Sequence, residues 1–172
     1  MKKHRFAVNH MMKFIFVFFL SISCAVFCDA QPKGSFTARV IKIVDGDTFD
    51  VLTSDKNVYR IRMNGIDCPE RKQAFYQVSK DALAHYIFGK KVILVSNSSD
   101  RYRRLLADVY IGNNYINRMM IANGFAWHYT RYSKDKSLAK AEADARLSRK
   151  GLWQQSDPIA PWTFKAIRKK RL

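Results

Sequence analysis

The chain has 172 residues, 31 Lys and Arg against 14 Asp and Glu, and a formal net charge of +17. At 48% hydrophobic and 13% aromatic it carries a core, so it is neither a disordered basic tail nor, with seven Gly and four Pro, a collagen-like or Pro-rich chain. Three Cys exclude a dense disulfide scaffold, and the charge points to a polyanionic partner.

Residues 1–13 hold Lys2, Lys3, Arg5 and Lys13 and no acid, and residues 14–27 hold no charge. Small residues follow up to Ala30. This is the layout of a secretory leader, and its apolar run is shorter than the roughly 20 residues of a spanning helix. A signal peptide over 1–30, cut after Ala30, is therefore predicted, ahead of a domain over 31–172. That domain keeps a charge of +14 and a single cysteine, Cys68, so no internal disulfide is open to it.

Within the domain, residues 36–44, 48–52 and 58–66 alternate in the manner of strands, with polar turns between them. The third puts Arg60 and Arg62 on one face and Tyr59, Ile61 and Met63 on the other. Residues 73–88 have helical spacing and end before Gly89. Residues 92–95 and 105–111 are two more strands. A helix is predicted over 117–123, stopping at Gly124. A last helix runs from about Ser133, its candidate N-cap, to Lys150, with Gly151 as the stop. This order gives a mainly β protein with helices, an α+β chain built on a five-stranded Greek-key barrel of the OB type with about three helices. A parallel α/β sheet, which needs alternating strands and helices, is excluded.

There is no Gly-rich phosphate loop, no HExxH and no CxxC. The acids of the domain are few, so their placement carries weight. Asp45 and Asp47 flank Gly46 in a turn, and Asp67 and Glu70 flank Cys68-Pro69 at the end of the third strand. Such turns are ordinary loop chemistry, yet carboxylate pairs at strand ends also suit a hard cation, Ca²⁺ or Mg²⁺. Arg62 lies on the strand that feeds the second pair, and Arg101, Arg103 and Arg104 surround Tyr102 before a later strand. Guanidinium forks match phosphate oxygens. Carboxylates holding a cation beside such forks are the parts that phosphodiester cleavage needs.

The segments VDGDTFDV, RIRMNGIDCPE and DRYRRLLADVY, in that order, resemble the staphylococcal nuclease family, and the NGFAWHY…AEADARLSRKGLW…PIAPWTFK tail resembles its secreted bacterial members. The resemblance spans roughly residues 37–165. It implies that Asp47 and Asp67 are carboxylate ligands of Ca²⁺ and that the backbone carbonyl of Cys68 completes the protein ligands. It implies that Glu70 positions or deprotonates the attacking water. Arg62 and Arg104 would clamp the phosphate, with Arg104 also neutralising the leaving 5′ oxygen. Arg101 and Tyr102 are candidate contacts for a terminal phosphate, and Tyr129 and Tyr132 for a stacked base. The chain departs from the family at Arg103, which stands where the family usually has Gly. The implied activity is a secreted or periplasmic, Ca²⁺-dependent endonuclease. It would act as a monomer on DNA and RNA, with single strands favoured and no stable membrane association, and leave 3′-phosphates. The alternative is a non-catalytic OB-fold binder of nucleic acid. A binder has no use for Asp47, Asp67 and Glu70 beside a phosphate path. A polysaccharide-binding envelope protein would explain the charge but not this set.

Overall fold

The computed structural model describes residues 31–170; the leader predicted over 1–30, with its cut after Ala30, lies outside the described residues. Five long strands close into a barrel: β1 (Gly34–Ile43), β2 (Thr48–Leu52), β3 (Val58–Met63), β5 (Lys91–Ser99) and β6 (Leu105–Ile111). Three short strands accompany them, β4 (Ile66–Asp67), β7 (Asn114–Tyr115) and β8 (Trp127–His128). The helices are α1 (Tyr76–Ile87), α2 (Ile116–Ala122), α3 (Lys136–Leu147) and α4 (Pro161–Lys170).

Strand β1 does double duty. Its first half pairs with β5 and its second half with β2, and a register shift between Val40 and Lys42 lets it bend from one to the other. A second shift, between Ser96 and Ser98, bends β5 against β6. Bulges of this kind raise the local twist and allow a short sheet to curl. The ring closes where β3 runs parallel to β6, with Ile61 opposite Leu105 and Met63 opposite Ala107. Alternate residues then fill the interior: Phe49 and Val51, Ile61 and Met63, Val92 and Leu94, Leu105, Ala107 and Val109 are all buried. Leu83 and Ile87 of α1, Met120 and Ile121 of α2, and Leu138 of α3 complete that core.

A second cluster holds the carboxy-terminal part. Trp127 meets Trp153 edge-on at 4.4 Å and Trp162 at 5.7 Å, and the Arg146 guanidinium lies 3.7 Å over the Trp153 ring. The expected packing of Trp153 and Trp162 is thus found, but as part of a fourth helix. Residues 161–170 are α4, beginning with Pro161 at the position where a missing N–H costs nothing. The last long helix also starts later than expected. Asp135, not Ser133, is its cap, accepting from the N–H groups of Ser137 at 2.7 Å and Leu138 at 3.4 Å. Ser133 instead supports that cap, its hydroxyl accepting from the Asp135 N–H. Strand 58–66 divides at Asn64-Gly65, where Gly65 takes a positive φ of 70° and the chain turns into β4. Among the described residues no helix is long and apolar enough to cross a membrane.

Candidate active site

Three turns meet at one end of the barrel, and each brings a motif. The β1–β2 turn carries Asp45, Gly46 and Asp47. Its backbone is held by the Asp47 N–H donating to Asp45 Oδ1 and by the Val44 and Asp45 N–H groups donating to the Thr48 carbonyl. Gly46 is required by close approach: a Cβ there would stand 2.9 Å from the Cβ atoms of both Cys68 and Ser79. That contact presses the first acidic turn against the second. The Cys68 N–H donates to Asp47 Oδ2 at 2.8 Å, tying the two turns directly.

Arg62 is the hub. It sits on β3 at the closing seam, opposite Thr48 of β2 and Leu106 of β6. One guanidinium nitrogen donates to the carbonyls of Met63 and Ile66 at 2.9 and 2.8 Å. Another reaches Asp67 Oδ1 at 2.8 Å and lies 3.2 Å from Asp47 Oδ2. Burial works against the charge of Arg62, and the two aspartates outweigh it, so its pKa is raised. Asp67 is itself buried, and its Oδ2 has no hydrogen-bond partner. Burial first, and the neighbouring Asp47 charge second, push the Asp67 pKa up to about 7; Arg62 and Lys165 pull against that shift. Asp45 is raised to about 7 for the same two leading reasons. Burial, then Asp47, also raises the Cys68 thiol, which stays protonated in the wall of the site.

The third turn is residues 100–104. Asp100 accepts the backbone N–H groups of Tyr102 at 2.9 Å and Arg104 at 3.0 Å with one oxygen. Its other oxygen accepts from Arg104 Nε at 2.7 Å. Burial opposes the Asp100 charge, but the hydrogen bonds from Arg104 and Tyr102 prevail and hold its carboxyl below the usual range. Arg103 has a φ of 62°, the left-handed conformation that glycine adopts freely. The loop thus keeps a glycine-like backbone at the position where an arginine stands. Arg104 Nη1 also lies 3.4 Å from Thr48 Oγ1, whose hydroxyl donates to Asp47 Oδ1, so the loop is linked to the first acidic turn.

These turns enclose two adjoining clefts. The smaller, about 210 Å³, is lined by Asp45, Asp47, Cys68, Glu70 and Tyr76 among others. The larger, about 1000 Å³, takes in Asp47, Arg62, Asp67, Glu70, Arg101, Tyr102, Arg104, Tyr129 and Tyr132. All ten sequence-predicted residues therefore line one or both. Tyr102 and Tyr132 present exposed rings, and Arg101 lies 4.8 Å over the Tyr102 ring. Tyr129 is stacked flat on Trp162 at 5.2 Å and edge-on to Tyr132 at 4.8 Å.

Three contributors escape a sequence reading. Asp100 was visible only as the first letter of the arginine run. Gln73 braces Glu70, its Oε1 accepting the Glu70 N–H at 2.9 Å while its Nε2 donates to the Ile159 carbonyl at 2.5 Å. Lys165 of α4 places its ammonium 2.8 Å from Glu70 Oε1 and 3.8 Å from Asp67 Oδ1. Nothing in a basic tail distinguishes that lysine before the chain is folded.

The donor set fits a hard divalent cation. Asp47 and Asp67 offer carboxylate oxygens in one buried wall, and Asp67 Oδ2 is a buried acceptor without a donor. Among the described residues no three His, Cys, Asp or Glu side chains form a metal cage. A cation here would therefore draw its remaining oxygens from backbone carbonyls and water. Two arginines beside such a site are what a phosphodiester group would meet.

Comparison with known proteins agrees with this chemistry. The family model described as staphylococcal nuclease homologue matches residues 60–155. A Haemophilus influenzae protein named an uncharacterized endonuclease is 42% identical over 125 residues, covering 73% of this chain and 70% of that protein. An Escherichia coli protein of the same name is 36% identical over 153 residues, 88% of this chain and 93% of its own length. The staphylococcal-like nuclease CAN1 of Arabidopsis thaliana is 38% identical over 107 residues, 62% of this chain and 33% of that protein.

Proposed function

Since the chain belongs to the staphylococcal nuclease family and is a hydrolase of nucleic acids, we propose that it is an exported, calcium-dependent endonuclease of broad specificity. It cuts DNA and RNA, favours single strands and leaves 3′-phosphates. The observation that carries this reading is the meeting of Asp47, Asp67 and Glu70 with Arg62 and Arg104 around one cleft.

In this reading Asp47, Asp67 and the Cys68 carbonyl hold calcium. When bound, calcium supplies positive charge that offsets the negative charge building on the phosphate. Arg62 is held beside the same acids, because two carbonyls fix its guanidinium and leave it little freedom to reorient. A preorganised donor of this kind loses no reorganisation energy as charge develops. Glu70, at the cleft wall, orients the water or takes its proton. Arg104, held by Asp100, faces the leaving 5′ oxygen. Breaking that P–O bond places the phosphate on the 3′ side. Tyr102 and Tyr132 offer exposed rings to unpaired bases, which supports a preference for single strands. The basic leader-like segment 1–30 supports export, and the buried lone Cys68 needs no partner in an oxidising compartment.

The test is digestion of end-labelled single-stranded DNA and RNA by the wild type and by Glu70→Ala, with calcium and then with chelator. The wild type should cut both and stop on chelation. Glu70→Ala should be slower by roughly 10²–10⁴-fold, the usual range for loss of general acid–base catalysis. Equal rates would overturn the role of Glu70, and cutting that survives chelation would overturn the calcium dependence. Products lacking a 3′-phosphate would refute the proposed bond choice. A mature protein whose first residue is not Gln31 would refute the cut after Ala30.

A further inference from the structure

The cleft holds more acid than its buried arginine balances. Asp45, Asp47, Asp67 and Glu70 all line it. Arg62 is a permanent member of the wall, with its side chain only 11% exposed and its donors shared among two carbonyls and two aspartates. The second cation at these acids comes from the far end of the chain. Lys165 reaches Glu70 at 2.8 Å and approaches Asp67 to 3.8 Å, yet its side chain remains 54% exposed.

The helix that carries Lys165 is anchored on one side of that residue. Trp162 stacks on Tyr129, Pro161 is buried, and the preceding Ile159 carbonyl is held by Gln73. Residues 165–170 are exposed. An ammonium on a flexible four-carbon stem at such a point can leave its partners and rehydrate at small cost, which Arg62 cannot do.

We infer that Lys165 is a built-in counter-ion of the site, paired with Glu70 and Asp67, which competes with the divalent cation for Asp67 and swings out when that cation binds. This rests on the calcium reading given above. Without metal, the ammonium offsets part of the repulsion among the acids. With metal, it would face a double positive charge a few ångströms away, across a partly desolvated cleft where such repulsion is weakly screened. The binding energy of the cation must then include the release of Lys165. Affinity is set in part by a residue that is not itself a ligand.

Calorimetric titration of calcium alone into the metal-free full-length protein tests this, with no nucleic acid present. Lys165→Ala and Lys165→Gln should bind calcium about three- to tenfold more tightly than the wild type, a gain that shrinks at high ionic strength. Lys165→Arg, which keeps the charge, should stay near the wild type. Thermal unfolding without calcium should show both neutral variants melting below the wild type, and saturating calcium should close that gap. Equal or weaker calcium affinity in the neutral variants overturns the proposal while leaving the calcium reading intact. Absence of calcium binding by the wild type and every variant overturns both.

Discussion

Asp100 organises the arginine loop through three hydrogen bonds from two residues, and its energetics have a definite pH sign. Its folded-state pKa is lowered, so it binds its proton less readily when folded than when unfolded. The stability it contributes is therefore complete above the unfolded value of 3.8 and is lost as the pH falls through the folded value. Asp100→Asn should be less stable than the wild type at pH 7, and the gap should close as the pH drops below about 3.8 in chemical denaturation series. A gap that does not change with pH would mean that the charge on Asp100 is not what holds the loop. Arg103 beside it sits in a conformation that costs a side chain about 1–2 kcal/mol relative to the right-handed region. The sequence shows the missing glycine there, but not that the backbone keeps a glycine's shape.

At the scale of elements, the carboxy-terminal part is fastened by backbone as much as by side chains. Gly124 closes α2 with a φ of 68°, and Gly151 follows α3 with a φ of 53°. They touch each other: the Leu152 N–H donates to the Gly124 carbonyl at 2.8 Å, and a Cβ on Gly124 would lie 2.1 Å from the Lys150 carbonyl oxygen. Gly124→Ala combines strain with a backbone clash and should cost on the order of 3 kcal/mol or more, read as a fall in the denaturation midpoint. An unchanged midpoint would show that the contact opens without penalty. Both glycines were legible as helix stops; their mutual contact was not, because it joins the ends of two different helices. The same limit applies to α4. PIAPW marks a boundary in the sequence, and Pro161 opens a helix, but only the Trp127–Trp153–Trp162 cluster says where that helix lies. The barrel strands, by contrast, are readable in place and order, since period-two burial in β3, β5 and β6 follows from their alternating side chains, although β5 runs on to Ser99 past the apolar stretch 92–95 through polar residues that carry no strand pattern. The candidate site was legible because acids are scarce in a basic chain and sit at turn motifs. Lys165 and Gln73 were not, because only the finished fold brings their partners near.

For the whole molecule, the charge of +14 over 31–172 is a long-range field rather than a set of contacts. Arg101, Arg104 and Arg62 are the cations that line the cleft together with Lys165. If the three arginines each neutralise one phosphate, binding of a single strand to Glu70→Ala in chelator should weaken with salt at a log–log slope of about −2. A slope near zero would mean that the excess charge does not act on the nucleic acid.

The parallel seam between β3 and β6 sets the order in which the enzyme comes into being. Ile61 and Leu105 pair there across about 40 residues of intervening chain, and Asp67 pairs with Trp127 across about 60, so the ring and the tryptophan region both depend on long-range pairing, which is slow to form. Arg62 lies on that seam, and the loop of Arg104 leads into it. Cleavage should therefore appear only in the slowest refolding phase, together with the last of the tryptophan fluorescence. Activity that returns together with the earliest fluorescence change would contradict this. A chain still open at the seam is a basic polypeptide that can cling to nucleic acid without cutting it, so the timing of ring closure decides when and where the hydrolase first becomes dangerous to its surroundings.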